Sequence, residues 1–243
     1  GGLNYLTTDS YKGHRKEEDM CRSESDGCAR RCNKGNNYGK QVRNLQAQKQ
    51  YHAKKGNTAK VEEITAEMAA LRDERNALIA DGGKLLPYTM VLTPHAQKVL
   101  NQLRKSGFSP YVVGGSVRDA LMGADSKDVD IEVYGATAEE VIKSLRKIGN
   151  VDEVGKSFGV LKIAIDGEDF DVSLPRRDSK VGDGHKGFTV EVDSDMTLME
   201  ATARRDFTIN ALMYDDKTGH IIDKHSGLDD LKDGYLRHVS DAF

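Results

Sequence analysis

Residues 128–133 of the run DVDIEVY (128–134) alternate strictly between acidic and aliphatic side chains. A period of two is typical of a β-strand, whose successive side chains point to opposite faces of the sheet. The pattern therefore predicts a strand with Asp128 and Asp130 side by side on one face and the aliphatic residues on the other.

A second pair of strand-like stretches, 159–165 and 168–174, flanks Asp166-Gly167. This dipeptide favours a two-residue turn, so we expect an antiparallel hairpin. In the return strand Asp169 and Asp171 share one face, and Asp169 lies so close to the turn that we expect it to be solvated. Asp171 is therefore the better candidate for a functional site.

The chain from residue 94 onward is predicted to form short helices and strands. Its patterns predict helices over 94–106, 117–122, 137–148 and 196–205, and further strands over 110–113, 151–154, 219–223 and 235–239. Because the strands cluster without regular βαβ alternation, the predicted fold class is α+β, a mixed and mostly antiparallel sheet with helices on one face.

The N-terminal part has a different character. Residues 1–56 are rich in Gly, Asn, Lys and Arg without a sustained period, which predicts a basic, loop-rich or disordered segment. Residues 57–81 carry apolar residues three or four positions apart and predict one long helix, and residues 82–94 predict a linker. We expect the main domain to occupy residues 95–243.

A glycine turn precedes the acidic strand. Tyr111-Val112-Val113 predicts a buried strand that ends at Gly114-Gly115, where the backbone can adopt conformations closed to other residues. A short helix follows, with Ser116 as its candidate N-cap and Arg118 in its first turn. Backbone N–H groups, a helix N-terminus and a guanidinium together suit a triphosphate.

The paired carboxylates predict a metal site. Asp128 and Asp130 repel each other unless a cation lies between them, and Asp171 offers a third ligand. Two Mg²⁺ ions held in this way could clamp the attacking and leaving oxygens of an in-line displacement, which points to nucleotidyl transfer. The competing interpretation is an exposed edge strand whose acids are simply solvated.

Residues 204–210, RRDFTIN, add polar groups beside an apolar stretch. Arg204 and Arg205 are predicted near a helix C-terminus, where they could cap carbonyl groups or bind an anion. Asn210 needs a partner, which a ribose hydroxyl or a buried backbone group would supply equally well.

Three glycines and mixed charge between Arg176 and Phe188 predict a mobile loop. Its basic residues could meet RNA phosphates. Its His185 is not expected to act as a general base, because a lone loop histidine is usually solvated.

These motifs together resemble a known family. The runs GGSVRDALMG, KDVDI, DVSLPRRDSK, ATARRDFTINALMYD and GHIIDKHSGLDDLKDGYLRHVSDAF are similar to the class II tRNA CCA-adding enzyme and bacterial poly(A) polymerase family, within the polymerase-β-like nucleotidyltransferase superfamily. The resemblance covers residues 95–243 and implies the head domain of that family. It implies Asp128 and Asp130 as catalytic metal ligands and Asp171 as a third catalytic residue. It also implies a nucleotide-binding set: Gly114, Gly115, Ser116, Arg118, Arg204, Arg205, Asp206 and Asn210.

The resemblance further implies template-independent addition of CMP or AMP, from CTP or ATP, to an RNA 3′ end. We expect tRNA as the RNA and two Mg²⁺ ions as cofactors. Poly(A) addition belongs to the same class and stays open. Alternatives from other classes are a non-catalytic nucleotide- or RNA-binding fragment of a multidomain or phage-encoded protein, and a toxin that transfers nucleotides to a protein or to tRNA.

The family continues beyond its last strand with a Glu-Asp motif, an arginine and helical domains. Because the present sequence stops at Phe243, we expect a fragment truncated at its C-terminal end. Base selection and primer grip would then lie outside it.

Composition and charge agree with a cytoplasmic globular enzyme without a membrane partner. The 243 residues are 37% hydrophobic, and no apolar run approaches the ~18 residues of a membrane span. Residues 1–60 hold 13 Lys and Arg against 6 Asp and Glu, a net charge of +7, which leaves −10 for the rest of a chain whose total is −3. The acidic part fits carboxylates that gather metals, and the basic part could contact nucleic acid.

Cys21, Cys28 and Cys32, with His14 nearby, offer the donor set of a Cys₃His zinc site. Their x₆ and x₃ spacings miss the usual CxxC pattern, which favours three reduced thiols instead. The sequence leaves the oligomeric state open.

Overall fold

A computed structural model describes residues 38–124, 128–180 and 188–241. The helices are α1 (Tyr38–Lys54), α2 (Thr58–Ala77), α3 (Pro94–Lys105), α4 (Gly115–Leu121), α5 (Ala138–Leu145), α6 (Leu198–Thr202) and α7 (Gly227–Asp233). Single 3₁₀ turns cover Lys156–Phe158 and Thr208–Asn210. The candidate zinc ligands, Cys21, Cys28 and Cys32, lie outside the described residues.

Eight strands form the main sheet, in the order β1-β10-β9-β2-β3-β6-β5-β4. They are β1 (Lys84–Pro87), β2 (Ser109–Val113), β3 (Asp130–Tyr134), β4 (Asn150–Asp152), β5 (Val160–Ile165), β6 (Glu168–Ser173), β9 (Met213–Asp215) and β10 (His220–Asp223). Neighbouring strands are antiparallel except β3 and β6, which are parallel. The predicted α+β class with a mixed, mostly antiparallel sheet is confirmed.

Side chains of the sheet alternate between two cores. Val112 and Ile221 belong to the larger core, which α3, α4 and α5 cover on one face of the sheet. Their chain neighbours Val113 and Ile222 belong to a smaller core on the opposite face, closed by Leu78 beyond the end of α2 and by residues of α6. The main helical layer therefore leaves most of the second face available for a site.

The predicted hairpin between β5 and β6 is present. Its two turn residues, Asp166 and Gly167, have φ angles of 49° and 83°. Positive φ at both central positions is the geometry of a type I′ turn, which matches the twist of the flanking strands. The turn fixes the register of the hairpin and sets Lys162 opposite Asp171.

The prediction of a loop or disorder over residues 1–56 was wrong for Tyr38–Lys54, which form α1. The sequence of this helix has little apolar periodicity, and Leu45 is its one buried residue. Packing against α2 stabilises α1, and such tertiary contacts are invisible to a pattern search. Helix α2 was predicted and begins at the N-cap Asn57, whose side chain accepts a hydrogen bond from the Lys60 backbone N–H.

The predicted linker over 82–94 was also wrong in part, because it contains β1. This strand pairs with β10, setting Leu85 opposite Ile222 and Leu86 opposite Ile221. A run of four residues is too short to show a period of two, and its pairing partner lies far along the chain.

The predicted mobile loop between Arg176 and Phe188 contains regular structure at both ends. Strands β7 (Arg176–Lys180) and β8 (Phe188–Val192) form a separate two-stranded antiparallel sheet. The charged sequence of β7, RRDSK, shows no hydrophobic alternation, whereas that of β8, FTVEV, alternates between apolar and polar residues and could have been predicted. The loop centre, residues 181–187 with His185, lies outside the described residues.

The C-terminal part differs from prediction in two elements. The helix predicted over 196–205 is limited to α6, whose N-cap Thr197 forms a reciprocal capping box with Glu200. The strand predicted over 235–239 is not regular, since within the described residues it forms a single bridge, between His238 and Phe207.

A fully buried lysine joins the helical hairpin to the sheet. Lys224 Nζ, just after β10, donates to the carbonyl oxygens of Leu78 at 2.6 Å and Gly82 at 2.7 Å and pairs with Asp81. Because its charge is compensated by an acid and two carbonyls, the end of α2 is held against the main sheet. No helix within the described residues is both long and apolar enough to cross a membrane.

A buried histidine predicts acid sensitivity of the fold. Burial, followed by the charge of Arg75, lowers the pKa of His220 to about 4. The unfolded chain binds a proton at this histidine near pH ~6.5, whereas the folded chain does so only near pH 4. The contribution of His220 to the free energy of unfolding is therefore fully present above pH ~6.5 and is lost, by up to about 3 kcal/mol, as the pH falls to about 4. Urea unfolding across this range measures the loss. His220→Gln should flatten it, and an equally steep loss in this variant would contradict the assignment.

Candidate active site

Two carboxylates face each other across the one parallel strand pair of the main sheet. Asp130 begins β3, and its register partner on β6 is Asp171. Partners in register on adjacent strands, which lie about 4.8 Å apart, project from the same face. The structure therefore brings together Asp130 and Asp171, as the sequence predicted.

The electrostatics of this pair are unfavourable. Partial desolvation, followed by the negative charge of Asp171, raises the pKa of Asp130 above its ordinary value, and the charge of Arg205 partly offsets the effect. Asp171 Oδ1 is buried and accepts no hydrogen bond. The Lys162 ammonium lies 3.2 Å from it and supplies one compensating charge. One lysine thus serves two neighbouring carboxylates.

Asp128 lies beside the pair but outside the strand. It is exposed and precedes β3 by two residues, and its negative charge also raises the pKa of Asp130. Over the described ranges, no three His, Cys, Asp or Glu side chains are close enough together to hold a metal ion. The predicted convergence of all three carboxylates is therefore not seen, and Asp130 with Asp171 is the closer pair.

The glycine turn lies directly beside this pair. Gly114 follows Val113, the register partner of Asp130, and has φ 74° and ψ −147°, a conformation that strongly favours glycine. A Cβ at Gly114 would lie 3.6 Å from Asp130 Oδ2, and one at Gly115 would lie 3.2 Å from Arg118 Nη2. The turn therefore brings main chain close to both a carboxylate and a guanidinium.

Ser116 has a different place from the one predicted. It lies inside α4 rather than at the N-cap, which is Gly114. Its buried hydroxyl donates to the Val113 carbonyl oxygen at 3.1 Å, which fastens the helix to the end of β2. Because the hydroxyl has a partner already, Ser116 could reach a ligand through its backbone N–H.

Hydrogen bonds join Arg118 to the RRDFTIN segment. Arg118 Nη1 donates to Asn210 Oδ1 at 2.7 Å, and Asn210 Nδ2 donates to Asp206 Oδ1 at 3.2 Å. Asp119 holds the other side of the guanidinium through Nε at 2.8 Å. Four predicted or adjacent polar residues thus form one network across the turn, and the partner that Asn210 required is a protein side chain.

Glu132 is a site residue that the sequence analysis did not single out. It is two residues after Asp130 on the same strand face, and it is buried. Its Oε2 accepts a hydrogen bond from Arg205 Nη2 at 3.1 Å, and its other oxygen accepts one from the hydroxyl of Tyr134. The alternation of DVDIEVY already placed Glu132 on the acidic face, but its partner could only come from the fold.

A cleft of about 500 Å³ opens on the same face of the sheet. Its walls include Glu132, Ser173, Arg204, Arg205 and Asp206. This volume falls within the range of small-molecule sites. Three arginines, Arg176, Arg204 and Arg205, line the cleft against two acids, Glu132 and Asp206. A larger cavity of about 580 Å³ lies between the end of α2 and the sheet, lined by Leu78, Tyr111 and Tyr134, and it holds none of the predicted site residues.

The residues of the site fit a divalent cation. A cation between Asp130 and Asp171 would relieve their repulsion and would coordinate Asp171 Oδ1, which accepts no hydrogen bond and has Lys162 as its ion-pair partner. Mg²⁺ is commonly bound by one or two carboxylates together with water and substrate phosphates, so two protein ligands suffice. The glycine turn and Arg118 are placed to receive such phosphates.

Comparison with known proteins gives a family match. A family model described as Poly A polymerase head domain matches residues 110–237, more than half of the chain. A solved CCA-adding enzyme, apo form II, is 27% identical with a TM-score of 0.51, over 61% of this chain and 36% of its own. The Bacillus stearothermophilus CCA-adding enzyme in complex with CTP is 29% identical with a TM-score of 0.49, over 62% of this chain and 35% of its own. The chain thus spans about a third of the length of these solved structures.

The unfavourable acid pair leads to a test by thermal unfolding. Since the folded-state pKa of Asp130 is raised, this group favours folding most below its unfolded pKa, and that benefit is lost as the pH rises through the raised value. At neutral pH without divalent cations, Asp130→Asn should therefore raise the melting temperature. Mg²⁺ should raise the melting temperature of the unaltered chain more than that of Asp130→Asn.

The matched control is Asp169→Asn, which removes the same charge from an exposed position near the hairpin turn. It should leave both the melting temperature and the response to Mg²⁺ nearly unchanged. A lower melting temperature for Asp130→Asn in EDTA, or an equal Mg²⁺ response in all three proteins, would contradict the account.

Proposed function

The chain belongs to the poly(A) polymerase head domain family, and on that basis we propose that it is the head of an RNA nucleotidyltransferase. It would add CMP or AMP, from CTP or ATP, to an RNA 3′ end without a template. The observation that carries the proposal is the register pairing of Asp130 with Asp171 immediately beside the Gly114 turn. A metal site beside bound phosphates explains why two like charges are held together next to a glycine turn whose backbone comes close to Asp130.

The phosphate end of the nucleotide is assigned to the turn and α4. Backbone N–H groups at Gly114 and Gly115 can donate to phosphate oxygens, and Arg118 adds a fixed charge, since Asp119 and Asn210 hold its guanidinium. Asn210 and Asp206 could exchange their mutual hydrogen bond for one to a ribose hydroxyl. Such an exchange costs little because one hydrogen bond replaces another.

Asp130 and Asp171 would hold the Mg²⁺, and Asp128, whose negative charge contributes to the raised pKa of Asp130, would have to move toward them to act as a third ligand. When bound, Mg²⁺ lowers the pKa of an RNA 3′-hydroxyl and neutralises charge on the triphosphate. We extend the proposal to two ions, as the number of acids on this face allows. The 3′ oxygen then bonds to the α-phosphorus, the bond to pyrophosphate breaks, and the hydroxyl proton passes to solvent.

Arg204 and Arg205 are proposed to hold the nucleotide in the neighbouring cleft. Glu132 fixes Arg205 at 3.1 Å, so this guanidinium can present its remaining N–H groups without losing its orientation. Arg204 lines the same cleft and is exposed. We propose tRNA as the RNA and CTP with ATP as the nucleotides, since the fold resembles that of a CCA-adding enzyme. Poly(A) addition stays the alternative, because the matching family model is that of the poly(A) polymerase head domain.

Transfer of a radiolabelled nucleotide tests the proposal. The chain, a tRNA transcript that lacks its 3′ CCA, CTP or ATP, and Mg²⁺ or Mn²⁺ should together yield labelled RNA. Asp130→Asn should lower the rate by about 100-fold or more, because charge stabilisation of the transition state depends on that acid. Asp169→Asn, the exposed control, should retain the rate within about threefold.

This chain is expected to extend RNA slowly, because primer grip is expected to lie outside it. Absence of labelled RNA with both nucleotides and both cations, from this chain and from the full-length protein, would contradict the enzymatic proposal. If the chain still binds nucleotide under those conditions, the non-catalytic binding alternative would take its place. An equal loss of rate in both variants would remove Asp130 from its special role.

A further inference from the structure

The helical hairpin of α1 and α2 has its charges segregated between the two helices. Residues 38–61 contain six Lys and Arg and no Asp or Glu, whereas residues 62–77 contain five Asp and Glu against two Arg. The ion pairs seen on the hairpin engage the acids of α2, with Lys60 bonded to Glu63 and Lys217 bonded to Glu74. The positive charge of α1 is thus concentrated on its own side of the hairpin.

One face of α1 carries three of these six cations, Lys40, Arg43 and Lys54. The exposed residues on that face recur at helical spacing and are Lys40, Arg43, Ala47, Tyr51 and Lys54. The buried Leu45 lies on the opposite side, toward α2. The basic face, defined by these five residues, extends about 21 Å along the helix.

Tyr51 gives the basic face an exposed aromatic ring. It is 59% exposed. Among the residues that the structure describes, its ring packs against the edge of the His52 ring, with 5.2 Å between the ring centroids. An exposed aromatic among cations suits stacking on a nucleobase beside bound phosphates.

The hairpin carries this face away from the sheet. Contacts with the head lie at its open end, where the Tyr38 backbone N–H donates to the Thr218 carbonyl at 3.1 Å and Lys224 binds Leu78. Thr218 belongs to the turn after β9, a strand that starts beside Val113 and runs away from the acid pair. The tip at Lys54 is about 24 Å farther along α1 than Tyr38.

From charge, exposure and placement we infer that the basic face of α1 binds the phosphates of a structured RNA, remote from the reacting 3′ end. The choice of RNA rests on the proposed function, whereas the surface itself is independent of the acid pair. Helix α2 presents acids and would repel the same RNA, so the hairpin sets the side from which the RNA approaches.

Fluorescence anisotropy with a tRNA transcript lacking its 3′ CCA tests the inference on the 243-residue chain, without nucleotide or divalent cation. The double variant Arg43→Gln with Lys54→Gln should weaken binding about tenfold and lower the slope of log affinity against log salt by about two. Tyr51→Ala should weaken binding with no change in that slope, because stacking releases no counterions.

The matched control is Lys143→Gln with Lys147→Gln, which removes the same charge from exposed positions at α5. It should bind RNA within about twofold of the unaltered chain. Circular dichroism and an unchanged affinity for ATP with Mg²⁺ should show that each variant is folded.

Equal weakening of RNA affinity in both double variants would show a general effect of net charge. Unchanged RNA affinity in both would show that α1 is only solvated. Either result would overturn the inference. Loss of binding to phosphatidylserine vesicles, with RNA binding retained, would overturn it in favour of a membrane surface. The readout needs no transfer reaction. A selective loss of RNA affinity in a chain that adds no nucleotide would therefore sustain this inference while the proposed function fails.

Discussion

The repulsion between Asp130 and Asp171 is the constraint around which the site is arranged. The chain leaves β3, passes through α5, β4 and β5, and returns as β6 parallel to β3, which sets the two carboxylates in register. A parallel pair needs such a crossover, so the pairing is a property of the whole topology. The topology of the sheet therefore places two negative charges side by side, and nearby groups compensate only part of their repulsion.

The two surrounding guanidinium groups are held by other acids, and Lys162 is held by the acid pair itself. Lys162 approaches Asp171, Arg205 is shared with the buried Glu132, and Arg118 lies between Asp119 and Asn210. These pairs fix the guanidinium groups in place before any ligand arrives, which lowers the entropic cost of binding a triphosphate. They also leave the acid pair with a net negative charge, which a divalent cation could neutralise.

Local chemistry allowed much of this arrangement to be predicted. The alternation around Asp130 fixed its face, and Asp166-Gly167 fixed the register of the hairpin that carries Asp171. Lys162 could have been found by the same reasoning, because a two-residue turn sets it opposite Asp171. Gly114 was identifiable because two glycines at the end of a strand indicate a backbone conformation that other residues rarely adopt.

Other elements depend on partners distant in sequence. Strand β1 exists because β10 pairs with it, and α1 exists because α2 covers its sparse apolar side. Glu132 was visible as an acid, but its role depends on Arg205, which is 73 residues later. Ser116 had the right composition for an N-cap, yet Gly114 occupies that position, and the hydroxyl turns back to Val113.

Anomalous diffraction from crystals grown with Mn²⁺ and a non-hydrolysable analogue of CTP or ATP tests the central claim most directly. A manganese peak should lie about 2.1 Å from carboxylate oxygens of both Asp130 and Asp171, with the phosphates against Gly114 and Arg118. A nucleotide bound elsewhere, such as in the cavity beside Tyr111, or a nucleotide at the turn with no manganese between the two acids, would contradict the claim.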